Sequence, residues 1–285
     1  MSRRRPAVAA AWGLAAVLAL ASGAAAAAQI ATPEPPYTGD DRIEAWSGRT
    51  ILAVTPHPDD ETFTSGGTLA ILARRNEVHV LIYTTDNAGS RDPDMTHERL
   101  AAIRRAEEEE ACRQLGIPIE NITWLGHDDG MLEYVDRREL TREVAREIRR
   151  VRPDVILSVD PGAPYEQYHK SDHRSGAFIT VDAIRAARWR LYFPELEEAG
   201  FEAYDVPLVF FYYSANPNYT VDITETIDVK VRAAAAHSSQ FGDLVDRYSK
   251  ERADAQRPQV AAALKERAAK EDGRYVERFR RSEAY

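Results

Sequence analysis

Cysteine and methionine are scarce in this sequence of 285 residues, and basic residues are fewer than acidic ones. It has three methionines and a single cysteine, Cys112, so no disulfide can form within the chain. Glycine and proline number 15 each, too few for a collagen-like or low-complexity protein. Lysine and arginine number 37 against 46 acidic residues, which gives a net charge of −9. Because sequence-independent nucleic-acid binding depends on neutralising phosphates, this balance argues against a nucleic-acid partner.

The first 28 residues have the pattern of a secretory signal peptide. Three arginines at positions 3–5 precede the uncharged stretch Ala7–Ala28, which ends in a run of alanines. A basic start, an apolar segment and small residues before a cleavage point are typical of export. We therefore expect residues 1–28 to be removed, leaving a periplasmic or extracellular protein without a membrane span. An uncleaved membrane anchor is the alternative, because 22 uncharged residues nearly span a bilayer.

Apolar runs alternate with helical patterns through most of the remaining chain. This alternation predicts βαβ units in a single Rossmann-like α/β domain over 46–245, with a mostly parallel sheet flanked by helices. The proline-rich residues 29–45 predict an extended leader, and the charged residues 246–285 predict a helical extension. The predicted strands are Thr50–Thr55, Val78–Thr84, Ile122–Leu125, Val155–Val159 and Leu208–Tyr213.

The segment Pro56–Glu61 crowds one histidine and three acids directly after the first predicted strand. In a tight loop, His57 and Asp60 can face a common point, and imidazole with carboxylate suits Zn²⁺. That arrangement leaves Asp59 or Glu61 as a base for water activated by the metal. The alternative is a helix N-terminus, in which the acids cap the next helix and favour its first turn.

A second polar cluster, Tyr168–His173, follows the predicted strand Val155–Val159. Because ligands in open α/β sheets bind outside the carboxyl ends of the strands, we expect both clusters at one edge of the sheet. A histidine from this cluster would complete a set of two histidines and one aspartate with an open position. Catalytic zinc sites have this form.

The order of these motifs resembles the zinc-dependent de-N-acetylases called LmbE-like or PIG-L-like proteins. Their hallmark is a strand followed by H-P-D-D-E, present here at His57–Glu61. The resemblance runs from about Ile51 to Phe241. The other matches are an R-x-x-E helix closing in L-G (Arg104, Glu107, Leu115, Gly116), a D-G pair (Asp129, Gly130), a P-D-V strand (Pro153–Val155), a segment like H-x-D-H ending at His173, and K…H-x-S-Q (Lys230, His237, Ser239, Gln240).

The resemblance implies which residues form the metal site. His57, Asp60 and His173 would bind Zn²⁺, with another divalent metal such as Fe²⁺ as the alternative. Asp59 would be the general base.

The resemblance also implies roles for residues around the metal. Arg104 and Asp129 would help to hold the substrate, and Asp172 would orient a neighbouring imidazole or cation. One position departs from the family, because Lys170 stands where the first histidine of H-x-D-H belongs. The alignment of the motif favours Lys170 as the cation that would stabilise the oxyanion formed during amide hydrolysis. A local bulge in the backbone would place His169 there instead.

The function implied is that of an exported zinc-dependent hydrolase. It would remove an N-acetyl group from an acetamido sugar or a related amide by metal-activated water, so its partner would be a small-molecule or oligosaccharide amide. Two alternatives stay open. One is a noncatalytic zinc- or carbohydrate-binding protein on the same fold. The other is a metal hydrolase acting on another bond, such as a phosphoester.

Overall fold

The computed structural model describes residues 38–39, 41–162 and 171–284. The predicted signal peptide, residues 29–37 and 40 of the predicted leader, and the loop that carries His169 and Lys170 lie outside these ranges. The prediction of an extended leader is wrong at its end, because Ile43–Ala45 forms a short 3-10 helix and Ile43 is buried in the apolar core. Within the described ranges, no helix is both long enough and apolar enough to cross a membrane.

Eight strands form the central sheet, in the order β3-β2-β1-β4-β5-β8-β6, with β7 beside β8. The first five strands of that order run parallel, and β8 is antiparallel to β5 and β6. This architecture confirms the predicted α/β fold. The strands are β1 (Thr50–Thr55), β2 (Glu77–Thr84), β3 (Ile122–His127), β4 (Val155–Val159), β5 (Leu208–Tyr212), β6 (Tyr219–Asp222), β7 (Lys270–Glu271) and β8 (Arg274–Glu283).

Helices cover both faces of the sheet. Along β1, Ile51 and Ala53 pack into one apolar cluster, while Leu52 and Val54 pack into the other. Successive side chains of a strand point to opposite faces, so this strand is buried on both sides, as parallel strands are. The helices are α1 (Asp60–Leu72), α2 (His97–Leu115), α3 (Arg137–Val151), α4 (Ser171–Arg188), α5 (Pro194–Glu198), α6 (Ile227–Ala236) and α7 (Lys250–Arg267).

The strand order reverses between β1 and β4, the position at which open α/β sheets bind ligands. The segment Pro56–Glu61 leaves β1 at this crevice, and α4 brings Asp172 and His173 to it after β4. Both predicted clusters therefore meet at one edge of the sheet.

The prediction of a helical extension over 246–285 is wrong for its second half. The segment is helical over α7, but Arg274–Glu283 forms β8 inside the sheet. The strand is hard to recognise in the sequence because it is rich in charged residues and because even a residue that faces the core, Glu277, is charged. That carboxylate accepts hydrogen bonds from Lys230 Nζ at 2.6 Å and from the backbone amide of Gly67 at 2.9 Å.

Candidate metal centre

The turn between β1 and α1 holds Asp59 in an unusual backbone conformation. Its φ is 146°, in a region that residues with a side chain rarely adopt. The buried guanidinium of Arg104 binds both sides of this turn, donating from Nη2 to the Pro58 carbonyl and, at 2.6 Å, to Asp59 Oδ2. Asp59 occupies the N-cap position of α1, yet its side chain makes no capping hydrogen bond. Helix capping therefore does not explain this acid.

Three buried donor atoms converge in front of the turn. His57 Nδ1 lies 3.1 Å from Asp60 Oδ2 and 3.2 Å from His173 Nε2, and the last two atoms are 3.1 Å apart. Ligand atoms around a tetrahedral zinc ion are about 3.3 Å from one another. Two imidazole nitrogens and one carboxylate oxygen are also ligands that zinc accepts. The residues present therefore fit a metal ion.

The other nitrogen of His57 faces two carboxylates. Nε2 lies 3.1 Å from Asp129 Oδ1 and 3.3 Å from Asp172 Oδ2. Asp172 is fixed in turn by the backbone amides of Gly130, at 2.6 Å, and Leu132, at 3.1 Å. A carboxylate on the far nitrogen orients a ligating histidine and keeps the lone pair on the near one. The structure thus places Asp172 against an imidazole, where the sequence analysis expects it.

These acids make the surroundings of His57 favour positive charge. Burial lowers the pKa of His57, but hydrogen bonds to Asp129, Asp172 and Asp60 outweigh burial and raise the pKa above its usual value. A position that attracts positive charge suits a cation site.

Asp59 follows the ligand turn but contributes none of these three atoms, and a buried ion network holds its carboxylate. Arg104 has no exposed surface, and besides Asp59 it binds Asp86 Oδ2 at 2.6 Å and Glu107 Oε2 at 2.8 Å. Burial raises the pKa of Asp59 to about 7, against the opposing effect of Arg104. The guanidinium thus reaches the site through Asp59, and the predicted contact of Arg104 with a substrate stays a prediction.

Two residues without a role assigned from the sequence lie around the centre: Asp86 binds Arg104, and Tyr213 contacts the proposed ligands. Each follows a strand at the ligand-binding edge, which is the signal that could have found them. The Tyr213 ring stacks on His173, with centroids 5.7 Å apart and planes at 17°, and its hydroxyl lies 3.4 Å from Asp60 Oδ1.

Asp129 is brought to the centre by its contact with His57, and its role toward a substrate stays a prediction. His169 and Lys170 lie outside the described residues, so the choice between them also stays a prediction.

The sequence and the fold both match known proteins. Residues 52–184 match the family model described as PIG-L: GlcNAc-PI de-N-acetylase. Diacetylchitobiose deacetylase of Thermococcus kodakarensis is 34% identical over 192 residues, covering 67% of this chain and 70% of the relative. This chain belongs to the PIG-L family. The match confirms the resemblance seen in the motifs.

Two further comparisons extend over more of the chain. A probable N-acetyl-alpha-D-glucosaminyl L-malate deacetylase of Bacillus anthracis is 28% identical over 210 residues, covering 72% of this chain and 88% of the relative. The structure of N,N'-diacetylchitobiose deacetylase from Pyrococcus horikoshii superposes with a TM-score of 0.69 and 31% identity. It covers 83% of this chain and 84% of that structure.

Proposed function

We propose that this protein is a zinc-dependent N-deacetylase that hydrolyses the acetamido group of an amino sugar. The observation that carries the proposal is the meeting of three metal-binding atoms, 3.1–3.2 Å apart, beside the carboxylate of Asp59. Relatives named as deacetylases of diacetylchitobiose and of N-acetyl-glucosaminyl malate support the bond and the substrate class.

His57, Asp60 and His173 would hold the metal. Bound there, zinc would act as a Lewis acid toward the acyl oxygen and lower the pKa of water. Zinc is favoured by two nitrogen ligands and one oxygen ligand, and Fe²⁺ is the alternative.

Asp59 would move the protons of the reaction. Arg104 occupies Oδ2, so Oδ1 is the oxygen we expect to accept a proton from the attacking water. The same carboxyl group would then give that proton to the departing amine. A pKa raised to about 7 suits both steps, because a group that accepts and returns a proton works best near the ambient pH.

Two parts of the proposal rest on residues outside the described ranges. Register favours Lys170 as the cation that stabilises the oxyanion, with His169 as the alternative. Residues 1–28 favour export, which would place the enzyme near extracellular acetamido sugars.

The test is acetate release by the purified, zinc-loaded protein from N-acetylglucosamine and diacetylchitobiose. We expect turnover that stops when a chelator removes the metal and resumes when zinc is returned. Binding of zinc without acetate release from any N-acetylated sugar would favour the noncatalytic alternative. Release of phosphate from sugar phosphates would favour the other hydrolase.

A further inference from the structure

A cavity of about 400 Å³ lies beside the metal centre on the β5 side. Phe63 and Thr64, from the first turn of α1, form one wall, and Tyr213 forms another. Tyr213 also touches the centre, because its ring stacks on His173 and its hydroxyl faces Asp60. A single aromatic side chain is therefore common to the metal centre and the cavity.

The walls of this cavity are mainly apolar. They come from α1, β5, α6, α7 and β8, so the cavity exists only because the last strand joins the sheet. The volume accommodates a group on the order of ten non-hydrogen atoms, about the size of a substituted aromatic ring. The aliphatic part of the lining consists chiefly of Ile223, Val231, Leu264 and Val276.

The charge of the lining is opposite to that of the chain. Three bases and one acid line the cavity, although the whole protein has a net charge of −9. The acid, Glu277, is already neutralised by Lys230 at 2.6 Å. Arg267 and Arg278 are exposed on the lining, and Arg278 pairs with the exposed Glu271 at 3.0 Å. A local excess of positive charge attracts anionic groups.

We propose that this cavity is a subsite for the aglycone of the N-acetylated sugar, and that it accepts an apolar group bearing an anion. The inference rests on the proposed function, since the acetamido group must lie at the metal when the aglycone enters the cavity. The apolar part packs between Phe63 and the aliphatic wall. The anion faces Arg267 and Arg278.

The experiment compares acetate release from three N-acetylglucosaminides, carrying methyl, benzyl and 4-carboxybenzyl aglycones. We expect benzyl to exceed methyl in kcat/KM by about 10-fold, the usual worth of a filled apolar pocket. The carboxylate should add about 3-fold, the scale of an exposed ion pair. Equal kcat/KM for all three compounds would overturn the proposal.

Two variants test the location of the subsite. Ala269 is exposed and lines the cavity, so Ala269→Trp should abolish the benzyl preference and leave the methyl compound unaffected. Ala262→Trp places the same indole on an exposed position of α7 outside the cavity, and should change neither. Equal effects of the two variants would contradict the location.

A second pair of variants tests the charge. Arg267→Ala should remove the roughly 3-fold advantage of the carboxylate and keep that of the benzyl group. Lys270→Ala removes an exposed base that does not line the cavity, and should keep both advantages. A carboxylate advantage that survives Arg267→Ala would remove this arginine from the proposal.

A binding measurement separates this inference from the proposed function. Calorimetric titration of Asp59→Ala with the three compounds requires no turnover. The same order of affinity in that variant would support the subsite even if the wild-type enzyme released no acetate. Turnover with no preference among aglycones would retain the function and reject the subsite.

Discussion

At the residue scale, the base of the proposed reaction is fixed by the protein's own cation. Arg104 binds the Pro58 carbonyl and the Asp59 carboxylate, and so supports a backbone with a φ of 146°. Such conformations cost on the order of 1–3 kcal/mol and persist only where neighbouring contacts impose them. Asp86 and Glu107 hold the guanidinium from its other sides.

Replacing the base should separate metal binding from turnover. In Asp59→Asn the amide keeps the shape of the side chain but cannot accept the proton, so we expect acetate release to fall by at least about 10²-fold. Zinc content, measured by atomic absorption, should match that of the wild type. Full activity would reject Asp59 as the base.

Replacing Arg104 should show whether it positions Asp59 or contacts the substrate. Lysine retains the positive charge but cannot reproduce the fork of guanidinium donors that binds three carboxylates at once. We expect Arg104→Lys to lower kcat by about tenfold or more with KM nearly unchanged, as for an interaction made only in the transition state. A rise in KM at constant kcat would instead support the substrate contact implied by the family resemblance.

The ion network around Arg104 should contribute more to the free energy of unfolding than an exposed ion pair does. Arg104→Met leaves buried carboxylates without their cation, and should cost about 3–5 kcal/mol in the free energy of unfolding. A suitable control is Arg113→Met, which breaks an exposed pair with Glu110 and should cost less than about 1 kcal/mol. Urea denaturation followed by circular dichroism measures both, and equal losses would contradict the assigned importance of the network.

At the element scale, the buried carboxylate of Glu277 joins β8 to two helices. It accepts from the amides of Gly67 and Thr68 in α1 and from Lys230 in α6. Position 67 also packs tightly against Ile223, because a Cβ there would lie 2.7 Å from that side chain. The helix that begins with the proposed metal ligand Asp60 is therefore anchored at its middle by β8.

Two adjacent glycines of α1 should respond differently to alanine. Gly67→Ala should destabilise the fold by about 1–3 kcal/mol, the usual cost of overpacking. In Gly66→Ala the added Cβ would lie 3.2 Å from Lys230 Cγ and 3.7 Å from Leu115 Cδ2, a milder crowding that is offset by a gain in helix propensity worth up to about 1 kcal/mol. The Tm of Gly67→Ala should therefore fall clearly below that of Gly66→Ala in thermal unfolding. Equal changes in Tm would contradict this account of the packing.

The sequence predicts most elements around the site. Strands β1, β2, β4 and β5 are runs of mostly buried residues and β3 is half-buried, and the ends of all five are predicted within about two residues. Helix α1 begins at Asp60, because the acids of the motif form its first turn. Strands β6 and β8 are not predicted. In β8 the inward side chains include Glu277, whose partners come from segments about 50 and 210 residues away, and no local pattern reveals such pairing.

The residues of the site are likewise only partly predictable. The positions of the two motifs after neighbouring parallel strands predict that His57 and Asp60 meet a histidine of the second cluster, and the family resemblance is what singles out His173. The contacts of Arg104 with Asp59 and Asp86 depend on the packing of α2 against the loops, which sequence spacing does not specify.

At the scale of the whole molecule, the proposed ligands link β1 to α4, so zinc should stabilise the fold. At a zinc concentration about 1,000 times Kd, binding contributes about 4 kcal/mol, which corresponds to a rise in Tm of about 10 °C for a domain of this size. His173→Ala should abolish the rise in scanning calorimetry. His127→Ala, at a histidine that pairs with Glu143, should keep it, and loss of the rise in both variants would contradict the ligand assignment.

The position of β8 also affects how the chain folds during its synthesis. It lies between β5 and β6 although it is the last of the eight strands in the part of the chain that the structure describes. At the usual pace of translation, roughly 3 to 12 seconds pass between the synthesis of β5 and that of β8. During that interval the apolar segment Leu-Val-Phe-Phe-Tyr of β5 leaves the ribosome with one edge unpaired. Unpaired apolar strands recruit other chains, so a nascent chain at this stage is the form on which chaperones would act.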